Sequence, residues 1–387
     1  MMTQSLEIRK VETKKDFRAF FKFPWKLYHN DPNWVPPLLS MRRELLDKDH
    51  NPSWEYLEGD YFVAWRGDEP VGTITAVINH RHNQFHNENI AWFGFFETID
   101  DSQVAHALLN TAYEWAKSKG CTAIRGPQSF TTHEECGLLV DGFEPPVILM
   151  PYNPPYYQAL VESAGFVKVM DVHSFYYDHT PEEHEQFGNA KRIEKISARI
   201  MRQNNARVRT FNNKRRKQDF QLFKELYNTA WIANWGFTPM TDRELDGLIK
   251  SLGMFLDPRT AWFVEVDGEP VGFMLAVQDL NAILKRANAR PGTPEFISLV
   301  KALWHWKIRP KVNRMRVPLM GVKPEYRNKG LDVLMYAELR NVLSDPKMPY
   351  RALDCGWILE TNQDMAGTLL SVGMRIYKTH RFYEKAI

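Results

Sequence analysis

The chain has 387 residues, 44% apolar and 13% aromatic, which is too long for one ordinary core and too apolar for a disordered chain. Its formal net charge of +3 gives no strong drive toward nucleic acid, a membrane surface or an acidic partner. Three cysteines without a CxxC pair argue against a disulfide framework, no run of about 18 apolar residues stands out as a membrane span, and residues 1–10 lack the apolar core of a signal peptide. A reducing, cytoplasmic compartment is expected.

In chain order, the first half opens with a short strand at 6–11 and a helix around Lys15-Asp16-Phe17. The Pro- and aromatic-rich segment 23–37 is expected as an extended strap over the first domain. Residues 59–78, GDYFVAWRGDEPVGTITAVI, read as strand, polar turn, strand. A strand follows at 90–98. Next comes an amphipathic helix with Val104, Leu108, Leu109, Ala112, Trp115 and Ala116 at helical spacing. A strand at 122–125 leads into a long connection, 126–152, expected to border a substrate cleft. Within it, His133-Glu134-Glu135-Cys136 lacks metal-ligand spacing and reads as loop, so no metal site is expected. The half closes on a helix ending Ser163-Ala164-Gly165-Phe166, with Gly where a helix C-terminus favours a left-handed residue. His179-Thr180-Pro181 stops this domain, and a charged linker helix runs on to about Gln203.

The second half repeats the order. Residues 259–278, RTAWFVEVDGEPVGFMLAVQ, place Glu269-Pro270-Val271-Gly272 200 positions after Glu69-Pro70-Val71-Gly72. A strand at 207–211 and a helix around Gln218-Asp219-Phe220 precede this hairpin. A strand at 316–322, a helix carrying Leu331, Leu334, Met335, Leu339 and Val342, a strand at 352–359 and a helix ending Ser371-Val372-Gly373-Met374 follow it. The expectation is an α/β (α+β) chain of two tandem copies, each a mixed central sheet flanked by helices: 1–178, a linker helix at 179–205, and 206–387. Residues 281–316 interrupt the second copy. Phe296, Leu299, Val300, Leu303 and Trp304 lie at helical spacing there, and Lys301, Lys307, Arg309, Lys311, Arg314 and Arg316 are not balanced by acids. Its apolar face is expected to pack on the sheet. A lid, or a surface docking on lipid or RNA, is the alternative.

At 316–336, RVPLMGVKPEYRNKGLDVLMY, a strand runs through a basic, Gly-containing turn into a helix. Free N–H groups and the positive end of a helix suit a pyrophosphate, and Gly330 permits close approach. Val322-x-Pro324-x-x-Arg327-x-x-Gly330 resembles the acyl-CoA motif of the GCN5-related N-acetyltransferase (GNAT) superfamily. Segments 153–157 (NPPYY), 325–336 and 357–362 (WILETN) are similar to bacterial double-module proteins of that superfamily. The resemblance implies acetyl-CoA, or another acyl-CoA, as co-substrate. It implies that Met320, Gly321 and Val322 pair with the pantetheine arm, and that Arg327, Asn328, Lys329, Gly330, Leu331 and Asp332 form the pyrophosphate corner. Asp332 stands where relatives carry a small residue; there it caps the helix and repels phosphate by about 0.3–1 kcal/mol.

Acyl transfer needs a neutral amine, a polarised carbonyl and a base. Glu360, at the end of the 352–359 strand, is the candidate base, with a capping or salt-bridging carboxylate as the other reading. Asn362 bonds pantetheine or caps its helix. Leu369 occupies the place of a Tyr that serves many relatives as general acid. Tyr383 and Tyr377 are the substitutes unless they are core aromatics. The first copy reads Glu97-Thr98-Ile99-Asp100-Asp101 where the basic turn should be, a helix cap rather than a phosphate site, so it is expected to lack a CoA site. The function expected is an acyl-CoA-dependent N-acyltransferase, most simply an N-acetyltransferase, acting on a small-molecule or peptide amine, with nucleic acid not expected as a partner. A non-catalytic acyl-CoA-binding module and a tRNA-dependent aminoacyl transferase are the rival readings.

Overall fold

The structure, a computed structural model, describes residues 5–178, 190–232, 234–253, 256–309 and 312–387. The His179-Thr180-Pro181 stop and Lys311 fall outside them. In chain order the elements are β1 (Leu6–Lys10), α1 (Lys14–Leu27), α2 (Leu39–Leu46), β2 (Leu57–Arg66), β3 (Glu69–Asn79), α3 (His80–His86), β4 (Ile90–Thr98), α4 (Ser102–Ser118), β5 (Ala123–Gly126), β6 (Leu138–Asp141), α5 (Tyr157–Ser163) and β7 (Val167–Asp178). Then come α6 (Ala190–Asn204), β8 (Ala206–Thr210), α7 (Arg216–Ala230), α8 (Asp242–Gly253), β9 (Ala261–Val266), β10 (Glu269–Gln278), α9 (Asn281–Ala287) and α10 (Glu295–Leu303). The chain ends with β11 (Arg314–Val322), α11 (Leu331–Ser344), β12 (Ala352–Leu359), α12 (Gln363–Ser371) and β13 (Arg375–Ala386).

Two compact units emerge from the contacts. Unit 1 comprises Met1–Val172, Asn281–Pro310 and Lys378–Ile387, and unit 2 comprises His173–Leu280 and Lys311–Tyr377. The sheet of unit 1 runs β1-β2-β3-β4-β5-β13, with β6 also on β13. Its pairings are antiparallel except β4–β5, where Ile90 stands opposite Ala123 and Trp92 opposite Arg125. In unit 2 the order is β8-β9-β10-β11-β12, then β7, whose residues 173–178 belong to this unit. Its parallel pair is β11–β12, from Arg314 opposite Ala352 to Val317 opposite Cys355. Each sheet therefore recruits its last strand from the other half of the sequence.

The repeat is a repeat of register. In β2–β3, Trp65 pairs Pro70 and Ala64 pairs Gly72; in β9–β10, Glu265 pairs Pro270 and Val264 pairs Gly272. The extra residue is Val71 in one hairpin and Val271 in the other, so each EPVG carries a bulge at the same place, which bends the strand and sharpens its twist. Both valines point into a core. In unit 1, α4 lays Val104, Leu108, Leu109 and Ala112 against β2–β4; in unit 2, α11 lays Leu331, Leu334, Met335 and Leu339 against β9–β12. Burying one such side chain is worth about 1.5–3 kcal/mol, so these stripes hold each helix to its sheet.

Two sequence expectations change. Phe23, Pro24 and Trp25 are the last turns of α1 rather than part of an extended strap; the Tyr28 N–H still bonds the Pro24 carbonyl at 2.9 Å. The 281–316 insertion also differs. Its helices belong to unit 1, and its large apolar face does not pack on a sheet: Phe296, Leu299, Val300, Leu303, Trp304 and Ile308 are exposed, while Ser298 is buried. Polar contacts hold the segment instead. Asn281 Nδ2 donates to the Pro146 carbonyl at 3.0 Å, Trp25 Nε1 donates to the Ala289 carbonyl at 2.6 Å, and the Glu295 carboxylate accepts from the Ser40 N–H and hydroxyl, both at 2.8 Å.

Candidate active site

In unit 2 the expected residues of the phosphate corner sit together. β11 and β12 pair as far as Val317 and Cys355. Beyond the end of β11, Asn328 and Gly330 take left-handed φ of 61° and 72°, and Leu331 begins α11. Much of the corner is already used by the protein. Arg327 Nη2 donates to the Ala230 carbonyl at 2.6 Å, and Lys329 lies over the Tyr326 ring at 4.5 Å. A Cβ on Gly330 would stand 3.0 Å from Ile200 Cδ1 of α6. Burial raises the Asp332 carboxyl above the ordinary range, opposed by the backbone N–H groups of Val333 and of Asp332 itself. Trp231 Nε1 donates to the Met320 carbonyl at 2.8 Å, and Gly321 lies where a Cβ would meet Ala230 Cβ at 2.5 Å. Val322 pairs Gly272. The Asn362 side chain caps α12 by accepting from the Met365 N–H at 3.2 Å. Glu360 is partly exposed at the turn after β12, its carbonyl accepting from Gln363 Nε2 at 2.6 Å. Tyr377 donates to Asp354 at 2.7 Å. Tyr383 belongs to unit 1, is fully buried, and donates to Glu162 at 2.8 Å; burial, then Glu162, hold its proton firmly on. The structure thus gathers Met320 to Asp332, with Glu360 and Asn362 in the same unit, and leaves Tyr383 outside that group.

Unit 1 holds a constellation that the sequence did not single out. Thr98 ends β4, and the residue before it, Glu97, does not cap α4. That task falls to Asp101, whose carboxylate accepts from the Gln103 and Val104 N–H groups and pairs with Arg66 at 2.7 Å. Glu97 is opposite Thr73 in the β3–β4 ladder, and its Oε2 accepts two short hydrogen bonds, from Tyr28 Oη of α1's C-cap at 2.6 Å and from Tyr157 Oη of α5 at 2.8 Å. Tyr157 is fixed by the Thr98 N–H at 2.8 Å, and the adjacent Tyr156 donates to the Thr98 carbonyl at 2.8 Å. Among the described residues no group donates to Glu97 Oε1. Trp34 stacks on Tyr28 with ring centroids 5.1 Å apart. Arg42 closes another side, its guanidinium 5.6 Å from the Phe95 ring.

Burial dominates the electrostatics of this cluster. It raises the Glu97 carboxyl to about 7 against the lowering effect of the two tyrosine hydrogen bonds and Arg42, and Glu135 pushes it further up. Burial lowers Arg42 to about 10, which Glu97 and Glu135 partly offset. Tyr28 and Tyr157 are driven well above ordinary phenols by burial and by the Glu97 charge, so they act here as fixed donors. A carboxyl poised near neutrality, one oxygen held by two phenols and the other without a donor among the described residues, has the form of a general base. The sequence signal was present but divided: Glu97 lay at a strand end, Tyr28 in a Pro/aromatic stretch and Tyr157 in NPPYY, 60 residues beyond Glu97.

The family model described as Acetyltransferase (GNAT) family matches residues 23–128, inside unit 1 and across Tyr28, Arg42 and Glu97. The chain belongs to the GNAT family, as a tandem arrangement of two modules. Acyltransferases of this family take their acyl group from an acyl-CoA co-substrate and act on amines. The chain is 33% identical over 383 residues to Protein YghO of Escherichia coli (strain K12), covering 98% of this chain and 95% of that one. It is 32% identical over 386 residues to the bacterial ceramide synthase of Caulobacter vibrioides (strain NA1000 / CB15N), covering 99% and 98%. Among solved structures, a tandem GNAT protein from the clavulanic acid biosynthesis pathway superposes over 99% of this chain and 98% of its own, with a TM-score of 0.52 at 13% identity. That likeness shows the fold. No helix among the described residues is long and apolar enough to cross a membrane, and no group of three or more His, Cys, Asp and Glu there has the arrangement of a metal site.

Proposed function

We propose that the protein is an N-acyltransferase that forms an amide between the acyl group of a CoA thioester and the primary amine of a long-chain amino alcohol, with Glu97 as the base. The observation that carries the reading is the Glu97 carboxyl, raised to about 7 and held by Tyr28 and Tyr157 through one oxygen. The amine nitrogen attacks the thioester carbonyl carbon and its surplus proton passes to Glu97 Oε1. The C–S bond then breaks, and the sulfur departs as the CoA thiolate, protonated on release. A carboxylate of ordinary acidity is a weak acceptor for an ammonium proton; one near 7 is better matched and still mostly ionised at pH 7.5–8. The acceptor class is supported by the full-length relative named as a ceramide synthase, because a ceramide is the N-acyl derivative of such an amine.

A second reading keeps the transfer in unit 2. The left-handed turn at Asn328 and Gly330, together with the strands β11 and β12 that no longer pair beyond Val317 and Cys355, favours it. In this reading the corner Arg327–Asp332 takes the pyrophosphate, Met320–Val322 and Asn362 the pantetheine, and Glu360 the amine proton.

The test is a reaction of the purified protein with acetyl-, octanoyl- and palmitoyl-CoA against a panel of amines that includes sphinganine, following free thiol and amide mass. Amide formation on the long-chain base, lost in Glu97→Gln and kept in Glu360→Gln, is the expected result. The reverse pattern moves the chemistry to unit 2. Turnover only with short or peptide amines overturns the acceptor class.

A further inference from the structure

We propose that the outward face of α10 and of the π-helical turn that continues it, Trp304–Ile308, inserts into the surface of an anionic lipid bilayer. The polarity of this segment is inverted. The residue it buries is Ser298, whereas Phe296 is 65% exposed, Val300 63%, Ile308 61% and Leu303 54%. With Leu299 and Trp304 these form one stripe at helical spacing, and the wider π turn keeps Ile308 in line with it. Scattered exposed apolar residues are ordinary; six on one stripe are not. Nearby, Ser40 of α2 is bonded to Glu295 at the start of α10, and the next residue, Met41, is also exposed.

Charge selects the occupant. Lys301, Lys307 and Arg309 are exposed around the stripe, and residues 296–309 contain no Asp or Glu. The Lys307 ammonium lies 3.8 Å from the Trp306 ring centroid, an aromatic–cation pair suited to the headgroup level. Apolar side chains ringed by cations match acyl tails beneath anionic phosphates. A second copy of the same face would set cation against cation across a two-fold axis.

The surface is joined to the Glu97 site inside unit 1. Ala289, in the connection between α9 and α10, accepts from Trp25, which packs edge-on to Trp34 at 5.7 Å, and Trp34 stacks on Tyr28, the partner of Glu97. For a long-chain amine resident in the bilayer, the surface and the base would thus belong to one connected set of contacts. That link rests on the function proposed above; the binding surface does not.

The test is co-sedimentation of the wild-type protein, without acyl-CoA or acceptor, with vesicles of phosphatidylcholine alone and of phosphatidylcholine with 30% phosphatidylglycerol. Binding to the anionic vesicles is expected, with hydrogen-exchange protection of residues 295–309. The double substitution Leu303→Glu/Trp304→Glu should weaken it at least about tenfold, and Lys301→Glu/Lys307→Glu should abolish the preference for anionic lipid. Unchanged thermal melting of the variants shows that the fold survives. No vesicle binding by the wild type, or binding without protection at 295–309, overturns the proposal. So does a concentration-dependent dimer in sedimentation that the double substitution dissolves, since the face would then meet a second copy. Vesicle binding without any amide formation would leave this surface standing and remove the proposed reaction.

Discussion

The two units differ most where they are most alike. Their hairpins share the EPVG bulge, and the next strand pairs in the same register: Gly72 faces Thr98 in unit 1, and Gly272 faces Val322 in unit 2. One step inward, Glu97 faces Thr73, and its counterpart Gly321 faces Phe273. The carboxylate of unit 1 stands among tyrosines that bind one of its oxygens. The glycine of unit 2 lies under Ala230 and beside Trp231, whose indole takes the Met320 carbonyl. At the helix that follows, the same contrast of acid and glycine recurs. Unit 1 caps α4 with Asp101 and no glycine, while unit 2 opens α11 with a left-handed Gly330. One backbone thus carries a carboxylate held by phenols in one unit and a left-handed glycine turn in the other. Shared fold therefore does not mean shared chemistry.

The largest effect should come from Glu97. Glu97→Gln is expected to lower kcat by about 10²–10⁴-fold, the usual range for removing a general base, with KM for the acyl-CoA little changed. Glu360→Gln, its rival in unit 2, should cost far less. The same Glu97 substitution should stabilise the fold. A carboxyl raised from an ordinary value near 4.5 to about 7 opposes folding progressively as pH climbs through that window, and fully above it. Thermal melting of Glu97→Gln should therefore exceed wild type at pH 8 and match it near pH 4. If it melts lower at pH 8, the carboxylate is a structural partner rather than a strained base.

Next in size is Gly321→Ala. The new methyl must displace Ala230, so overpacking should cost about 1–3 kcal/mol in urea unfolding. A neutral result would mean that unit 2 has room at this position for a ligand arm. Tyr28→Phe should act more gently. Its hydroxyl lowers the Glu97 value, so its loss should move the alkaline-rising limb of kcat/KM to higher pH while leaving the plateau rate within about tenfold. A limb that stays in place would detach the limb from Glu97. The smallest effect belongs to Asp332→Asn. If the corner of unit 2 holds a diphosphate, removing this charge should tighten CoA by about 0.3–1 kcal/mol, a few-fold in Kd by calorimetry. No change would place the nucleotide elsewhere.

Much of the architecture was legible in the sequence because it is carried by local pattern. The strands at 90–98 and 352–359, the two EPVG hairpins and the apolar stripe of α4 depend on periodicity and turn residues, which neighbours in sequence specify. The family resemblance was legible through Val322 to Gly330. The Glu97 site was not, because its members are spread from Tyr28 to Tyr157 and none makes a motif. Glu97 also sat among Asp100 and Asp101, and the three acids read together as one cap when only Asp101 performs that role. The insertion was misread for a related reason. Periodicity shows that α10 has an apolar face but not which way it turns, and the contacts of Asn281, Ala289 and Glu295 turn it outward.

By itself, then, the sequence determined the order of elements, the duplication and the family, since these follow from hydrophobic period, turn chemistry and a contiguous motif. Only the tertiary structure decided which strands complete each sheet, which carboxylate is buried beside phenols, and which helix face meets solvent. Those outcomes depend on desolvation and on contacts between residues as far apart as Trp25 and Ala289, quantities with no expression along the chain.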